Sequence, residues 1–262
     1  MRRRPRHRPP AIAIAAIATA LSVAAGPGCR APERPPHRPT APGPWLPGQV
    51  DRTAWSAGPW GRWAATTLAD GDLVFRHGRD SWGPQCISEL AAAVADSPFS
   101  HVGLYASEGG EPVVYDARMG GVRRVPFDAW MAEVRGAFGV RRVRPEDRGR
   151  IPAALAFCRS AFESGARYDF VMRIGGDRFY CGEFVERAYR SAGLALSEPI
   201  RLADLPRLDE FPAAAFVVRC LAGIEPDRPI VAVGSPSFGL WASPATVPVF
   251  ATPDGTVPPL GA

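Results

Sequence analysis

The clearest repeating pattern along the chain is an apolar stripe at helical spacing that begins at Cys181. Its later members recur at intervals of three and four residues, as in an amphipathic helix: Phe184, Val185, Ala188, Tyr189 and Ala192. A glycine-bearing turn precedes Cys181, which itself falls on the stripe. The pattern therefore predicts a helix that starts at Cys181 with the sulfur facing inward.

Short apolar runs before this helix predict an antiparallel sheet of about five strands. The second and third runs are joined by Ser107–Glu111, which contains two glycines and is typical of a hairpin turn. The five runs lie at residues 71–75, 101–105, 113–117, 121–125 and 139–143.

A second helix is predicted between the sheet and the cysteine helix. Ile151, Leu155, Cys158 and Phe162 share one helical face over residues 151–163, and Gly165 is a plausible stop. Cys158 is thus expected to be a core residue. Helices and strands together predict an α+β domain, followed by an irregular, proline-rich stretch after Ser243.

The N-terminal sixty residues have a different composition from the rest. A basic region up to Pro10 precedes a run of apolar residues at 11–25, too short for an ordinary membrane span, which predicts an export signal over residues 1–28. The sequence before Cys29 resembles a lipoprotein processing site, which would make Cys29 lipid-bearing; ordinary cleavage and a retained anchor are the alternatives. The expected location is the periplasm or cell envelope, with possible attachment to the membrane through the N-terminus.

The remaining boundaries follow from composition. A tether rich in proline and glycine is predicted over residues 29–60, a folded domain over 61–250 and an irregular tail over 251–262. The formal charge of +5 comes from the N-terminus, because residues 1–50 hold eight of the 31 basic residues and one of the 26 acids. The body is near neutral and has no basic stripe with interleaved aromatics, so nucleic-acid binding is not expected.

Candidate chemistry is limited by the histidines. Two of the four, His7 and His37, lie in the predicted signal and tether, which leaves His77 and His101. His101 opens a predicted strand, and Asp116 lies on the adjoining arm of the hairpin, within reach of the imidazole. His77, in a predicted loop, is the rival base.

Cys181 is the candidate nucleophile. At the start of a helix, unpaired amides and the macrodipole can bring the pKa of a thiol from about 8.5 to ~3.5–7.5. The alternative is a disulfide, since the body of an exported chain with Cys86, Cys158, Cys181 and Cys220 has enough cysteines for two. No Cys or His pair has metal-ligand spacing, so neither a metal nor a cofactor is expected.

Three segments carry a family resemblance. Ser100–Tyr105, Val114–Ala117 and Tyr180–Val185 resemble, in this order, the YiiX/YebB-like branch of the circularly permuted NlpC superfamily of papain-like cysteine peptidases. In unpermuted members the cysteine helix comes before the histidine strand. The resemblance extends over roughly residues 68–195.

The resemblance implies a permuted papain-like fold in which an antiparallel sheet packs against helices that include the nucleophile helix. It implies Cys181 as nucleophile, His101 as base and Asp116 as the orienting acid, where the similar proteins carry Glu. Gln85 is implied as an oxyanion ligand or, alternatively, a helix cap. Tyr180 is expected beside the pocket or in the core.

The family likeness also implies the reaction and its partners. Acyl transfer from an amide or ester to water is expected, with peptides of the cell wall as one substrate class. A lipid amidase, esterase or acyltransferase of the same fold is the enzymatic alternative. A catalytically inactive module that binds envelope fragments is an alternative of a different kind.

Overall fold

A six-stranded antiparallel sheet forms the centre of the molecule. The computed structural model describes residues 58–78, 92–212 and 224–252. The strand order is β10-β5-β1-β2-β3-β4, and every neighbouring pair is antiparallel. The strands of this sheet are β1 (Leu73–Gly78), β2 (His101–Glu108), β3 (Glu111–Arg118), β4 (Gly121–Pro126), β5 (Val134–Val143) and β10 (Thr246–Thr252). The α+β class is confirmed.

The sixth strand comes from the stretch that was expected to be irregular. Thr246–Thr252 pairs with β5 along the edge of the sheet, and the register shifts between Pro248 and Phe250. Proline is tolerated at such a position because an edge strand does not need every N–H for pairing. Counting prolines as breakers was therefore wrong for this segment.

Four helices of the described residues cover the two faces of the sheet. Helix α1 spans Pro59–Thr67, α2 spans Phe127–Met131, α3 spans Ile151–Glu163 and α4 spans Cys181–Ser191. Two short pairs lie outside the large sheet: β6 (Arg167–Tyr168) with β7 (Arg178–Phe179), and β8 (Ile200–Arg201) with β9 (Pro229–Ile230).

Each face of the sheet has its own apolar core. Helices α3 and α4 pack on one face, where Leu104 and Tyr115 point toward Cys158 and Phe184. Helices α1 and α2 cover the other face, around Trp130. Because side chains alternate along a strand, neighbouring residues of one strand belong to different cores.

Helix α3 has the predicted bounds and the predicted end. Gly165 has a φ of +65°, and the amides of Gly165 and Ala166 donate to the carbonyls of Phe162 and Ala161, which is a Schellman arrangement. Cys158 is fully buried, as expected. The predicted apolar face is shifted, however, because Phe162 is 38% exposed and Ala161 is buried in its place.

Several predictions fall outside the described residues. These are the export signal, most of the tether, Cys29, Gln85, Cys86 and Cys220. Among the helices in the described ranges, none combines the length and apolar character needed to cross a membrane.

Candidate active site

His101 and Asp116 form a direct hydrogen bond across β2 and β3. His101 Nε2 lies 2.7 Å from Asp116 Oδ2. The Asp116 side chain is fully buried, and the His101 side chain is 12% exposed. The hairpin of the sequence analysis thus brings these two predicted residues together.

The pair is diagonal across the hairpin, with a glycine beside the acid. Leu104 pairs with Tyr115, which places Asp116 next to Gly103 and one diagonal step from His101. A Cβ on Gly103 would lie 3.2 Å from Asp116 Cβ, 2.9 Å from the Tyr115 carbonyl oxygen and 2.6 Å from Val114 Cγ1. Glycine is therefore required at this position for the carboxylate to lie where it does.

Asp116 accepts hydrogen bonds from three side chains. Arg123 Nε donates to Oδ1 at 2.8 Å and Arg123 Nη2 donates to Oδ2 at 2.7 Å. Trp130 Nε1 donates to Oδ2 at 3.1 Å. Together with His101, these donors hold both oxygens of a carboxylate that has no access to solvent.

More arginines surround this centre. Arg76 on β1 lies over the Trp130 ring, with its guanidinium carbon 4.6 Å from the ring centroid, and donates to the Trp130 carbonyl. Glu133 accepts from Arg76 at 2.5 Å and from Arg118 at 2.6 Å, and it lies 3.5 Å from Arg123. Arg76, Arg118 and Arg123 thus face Asp116 and Glu133, which leaves an excess of one positive charge.

This environment determines how the pair titrates. Burial alone would raise the pKa of Asp116, but Arg123 and His101 hold it well below its usual range. Burial lowers the pKa of His101 and outweighs the hydrogen bond that the ring donates to Asp116, which favours the protonated ring; Arg76 and Arg123 lower the pKa further. The geometry accordingly favours an ionised acid beside a neutral imidazole.

Cys181 is the first residue of α4, as the apolar stripe predicted. The N-cap residue, Tyr180, makes no side-chain hydrogen bond to the first turn. The first backbone amides of the helix are therefore left without that capping group, and the positive end of its dipole lies at the sulfur. Cys181 is partly buried and Cys158 is fully buried, and neither of them forms a disulfide.

Two sets of contacts fix the direction of α4 over the sheet. Toward its C-terminal end, the Tyr189 hydroxyl donates to the Gly71 carbonyl, and the Gly71 amide donates to Tyr105 on β2. The helix from Cys181 to Tyr189 is about 12 Å long, and the strand from His101 to Tyr105 is about 13 Å long. The two segments therefore extend over similar distances from the Tyr189–Gly71–Tyr105 contacts.

The N-terminal end of α4 is held by the segment of residues 231–241. The Val231 amide donates to the Tyr180 hydroxyl at 2.7 Å. Farther along, Trp241 lies against Phe99 and Phe75, with ring centroids 4.5 Å and 5.0 Å away, and Phe75 pairs with Val102 on β2. The helix therefore begins near the end of the sheet where β2 begins.

Strand alternation places the parts of the site on different faces. The His101 ring lies on the face that carries α2, 6.4 Å from the Trp130 ring by centroids. Helix α4 packs on the opposite face. Because His101 is the first residue of β2, its ring lies at the end of the sheet, where a side chain from the other face can approach it.

Other candidates take structural positions. His77 lies on β1 and not in a loop, and a Cβ on Gly136 of β5 would be 3.1 Å from its Cβ, so it lies beside β5, which is two strands from β2 and three from β3. Asp72 pairs with Arg142, and Asp169 accepts the amides of Val171 and Arg173. Tyr180 is buried in the core.

Sequence reasoning missed Arg123, Trp130 and Glu133. Arginine on a strand usually indicates a solvent-facing position, which hides a pairing with a buried acid. One signal was present: the hairpin between β3 and β4 sets Arg123 directly opposite Asp116. An inward acid with an arginine across the strand pair is typical of a paired buried charge.

Two proteins of Escherichia coli are similar to this chain. The uncharacterized protein YiiX of strain K12 is 29% identical over 136 residues, which are 51% of this chain and 64% of YiiX. The crystal structure of metalloprotein yiiX from strain O157:H7 covers 71% of this chain and 98% of its own, with a TM-score of 0.58. Its 24% identity supports the fold alone.

In the described part of this chain, no group of three or more His, Cys, Asp or Glu residues is arranged to hold a metal ion.

A family profile matches the part of the chain that contains the candidate site. It describes the permuted papain-like amidase enzymes of the YaeF/YiiX type, and it matches residues 67–205, which include His101, Asp116 and Cys181. This match covers more than half of the chain. It agrees with the family resemblance of the three sequence segments, with the order His101, Asp116 and Cys181 along the chain, and with the antiparallel sheet against which α4 packs. The chain therefore belongs to the C92 family of permuted papain-like amidases, which is a family of cysteine hydrolases.

Proposed function

We propose that the protein cleaves an amide bond with Cys181 as nucleophile, His101 as acid and base, and Asp116 as the orienting acid. The observation that carries this assignment is the 2.7 Å contact between His101 Nε2 and the buried Asp116 Oδ2. In a neutral imidazole that donates from Nε2, Nδ1 is the unprotonated nitrogen. Nδ1 is thus the base that takes the proton of the Cys181 thiol at the end of the sheet.

The reaction proceeds in two halves. The Cys181 sulfur attacks the carbonyl carbon, and the protonated His101 Nδ1 gives its proton to the leaving amine as the C–N bond breaks. The acyl group is then held as a thioester. His101 next takes a proton from water, whose oxygen attacks the thioester and releases the acid and the thiol.

The oxyanion is stabilised at the start of α4. The backbone amide of Cys181 donates to the developing charge, and the dipole of the helix adds to it. This assignment is supported by the uncapped N-terminus at Tyr180. Gln85 is proposed as a second donor on the family resemblance, and it lies outside the described residues.

Peptide amides of the bacterial cell wall are the proposed substrate. A lipid amide or ester is the second candidate, and one observation favours it. The loop that leads to Cys181 exposes two large apolar side chains, Phe170 at 52% and Ile174 at 39%. Apolar residues at the rim of a site are suited to an acyl chain.

Export to the periplasm or cell envelope is proposed from the basic and apolar pattern of residues 1–25, with Cys29 as the lipid-bearing residue. Expression of the full chain in a bacterial host, fractionation and intact-mass measurement test this. A processed chain with a diacylglyceryl addition that Cys29→Ala abolishes supports lipidation. An unprocessed chain in the cytosol contradicts export.

The proposed activation of Cys181 by His101 is tested by site-resolved alkylation with iodoacetamide at about pH 6, followed by peptide mass spectrometry. Cys181 is expected to react at least ~10-fold faster than Cys158, whose thiol is fully buried. His101→Ala is expected to slow the alkylation of Cys181 by about tenfold, whereas His77→Ala, the matched histidine control, leaves the rate at Cys181 unchanged. Equal rates at Cys181 with and without His101 would contradict the assignment and favour an inactive binding module.

The substrate class is tested by incubating the protein with purified peptidoglycan and, separately, with N-acyl lipids. Mass spectrometry of the products identifies which amide is cut, with Cys181→Ala as the blank. Peptide fragments from peptidoglycan alone support the first candidate. Release of fatty acid alone supports the second.

A further inference from the structure

We propose that Arg123 is a positioning residue: it holds Asp116 in place for His101 and sets the pH range over which the site reacts. The inference rests on the proposed triad and deepens it. Arg123 acts through Asp116, since its side chain donates hydrogen bonds to Asp116 and Glu133.

Arg123 engages the Asp116 carboxylate from the neighbouring strand. Arg123 lies directly opposite Asp116 across β3 and β4. Its Nε and Nη2 atoms engage both carboxylate oxygens, at 2.8 Å and 2.7 Å, in the planar fork that matches a carboxylate. With Trp130 as a further donor to Oδ2, the carboxylate cannot rotate about its terminal bond without losing hydrogen bonds. The orientation of Oδ2 toward His101 is thereby fixed.

Glu133 and Arg76 keep the side chains that donate to Asp116 in place. Glu133, just after α2, lies 3.5 Å from Arg123 and binds Arg76 and Arg118. Arg76 in turn stacks on Trp130 and donates to its carbonyl. Arg123 and Trp130 therefore belong to one buried network that approaches Asp116 from β4 and α2.

The positive charge of Arg123 acts on the protonation of His101 and Cys181. The charged groups that face His101 are Arg76 from β1, Asp116 from β3 and Arg123 from β4, with Arg118 and Glu133 behind them. Removing the positive charge of Arg123 leaves Asp116 to favour a protonated imidazole more strongly. The same removal disfavours the thiolate of Cys181. Both effects have one sign: a proton is held more tightly, so the site becomes reactive only at higher pH.

Two substitutions separate charge from geometry. Arg123→Gln is expected to shift the midpoint of the alkylation rate of Cys181 upward by about 1 pH unit. Arg123→Lys keeps the charge but lacks the fork, so the midpoint is expected to stay within about 0.3 unit of the native value while the plateau rate falls about tenfold.

Arg124 provides the matched control. It is the next residue of β4 and points to the opposite face, where it donates to Glu108 at 2.6 Å. Arg124→Gln removes an arginine–carboxylate pair of the same kind from the same strand, away from His101. The midpoint and plateau of Cys181 alkylation are expected to be unchanged.

The experiment is alkylation of Cys181 by iodoacetamide from about pH 4 to 9 in the full chain, with thermal melts of every variant. NMR titration of the His101 ring, assigned with His101→Gln, gives a readout that does not require a reactive thiol. An upward shift of both midpoints in Arg123→Gln, together with the lysine result, supports the proposal. If Arg123→Gln does not fold, the lysine plateau and the ring titration of Arg123→Lys decide.

The outcomes distinguish a failure of the proposed triad from a failure of the positioning role of Arg123. Native Cys181 that reacts slowly and independently of His101 overturns the proposed triad, and the ring titration then still reports whether Arg123 governs His101. A reactive, His101-dependent Cys181 whose midpoint and plateau are the same in the native protein and both Arg123 variants overturns the positioning role alone.

Discussion

Gly103 and Asp116 lie so close across the hairpin that a single methyl group would force them apart. A Cβ on Gly103 would be 3.2 Å from Asp116 Cβ and 2.9 Å from the Tyr115 carbonyl oxygen. The His101–Asp116 contact therefore depends on a residue that carries no chemistry.

Gly103→Ala is expected to destabilise the fold by about 1–3 kcal/mol, because the new methyl overpacks against backbone and Val114. It is also expected to slow Cys181 alkylation at about pH 6, since Asp116 moves relative to His101. Chemical denaturation and labelling measure the two effects. Gly149→Ala is the control, because a Cβ there meets nothing within 4 Å. Native-like stability of Gly103→Ala would contradict this prediction, because β3 would then move away from the added methyl group without a loss of stability.

Gly182→Ala tests how the N-terminus of α4 is held. Alanine is the better helix former by about 1 kcal/mol, but a Cβ on Gly182 would be 2.3 Å from the Val231 carbonyl oxygen. The clash with the Val231 carbonyl oxygen outweighs the gain in helix propensity. We therefore expect a lower free energy of unfolding and slower alkylation of Cys181. Gly176→Ala, whose nearest contact would be 3.8 Å, serves as the control in the preceding loop. A rise in melting temperature for Gly182→Ala would contradict this expectation.

Asp116→Asn removes the charge that faces His101 and Arg123. Because a buried guanidinium loses its counter-ion, we expect a stability loss of about 3–5 kcal/mol and a fall in activity of about 100-fold or more. Asp72→Asn is the matched control: Asp72 is equally buried and is bound by Arg142 through two contacts of 2.7 Å. It is expected to lose stability while Cys181 keeps its reactivity; equal loss of reactivity in both variants would point to general loosening.

The pKa of His101 makes stability depend on pH. Its folded value is below the ordinary 6.5, so as the pH falls through about 6.5 the unfolded chain takes up a proton that the folded protein does not. The free energy of unfolding then decreases, by at most about 1.4 kcal/mol per pH unit, until the folded pKa is reached. Urea denaturation between about pH 5 and 7.5 measures this slope. His101→Gln is expected to reduce it and His77→Gln to retain it; equal slopes in all three proteins would refute the assignment.

The positions of the three proposed catalytic residues were predictable because they follow local rules. The apolar stripe sets the start of α4 at Cys181, and the glycine-bearing turn at 109–110 makes the hairpin that joins His101 to Asp116. Both depend on side-chain periodicity over a few residues.

The buried carboxylates of α4 were not predictable in the same way. Glu183 and Glu186 fall on what periodicity presents as the polar face of α4, yet both are buried. Glu183 accepts the Gly175 amide, and Glu186 accepts the amides of Leu196 and Ser197. Such pairings depend on where distant loops return to the helix, which a window of sequence does not contain.

The family match ends at residue 205, but the segment that holds the start of α4 comes later. Val231 binds Tyr180, Trp241 packs beside the beginning of β2, and β10 completes the sheet. The unit recognised by similarity is thus smaller than the unit that holds Cys181 in place. Any shortened version cut at residue 205 would retain Cys181, His101 and Asp116 in its sequence while lacking the contacts that hold the start of α4.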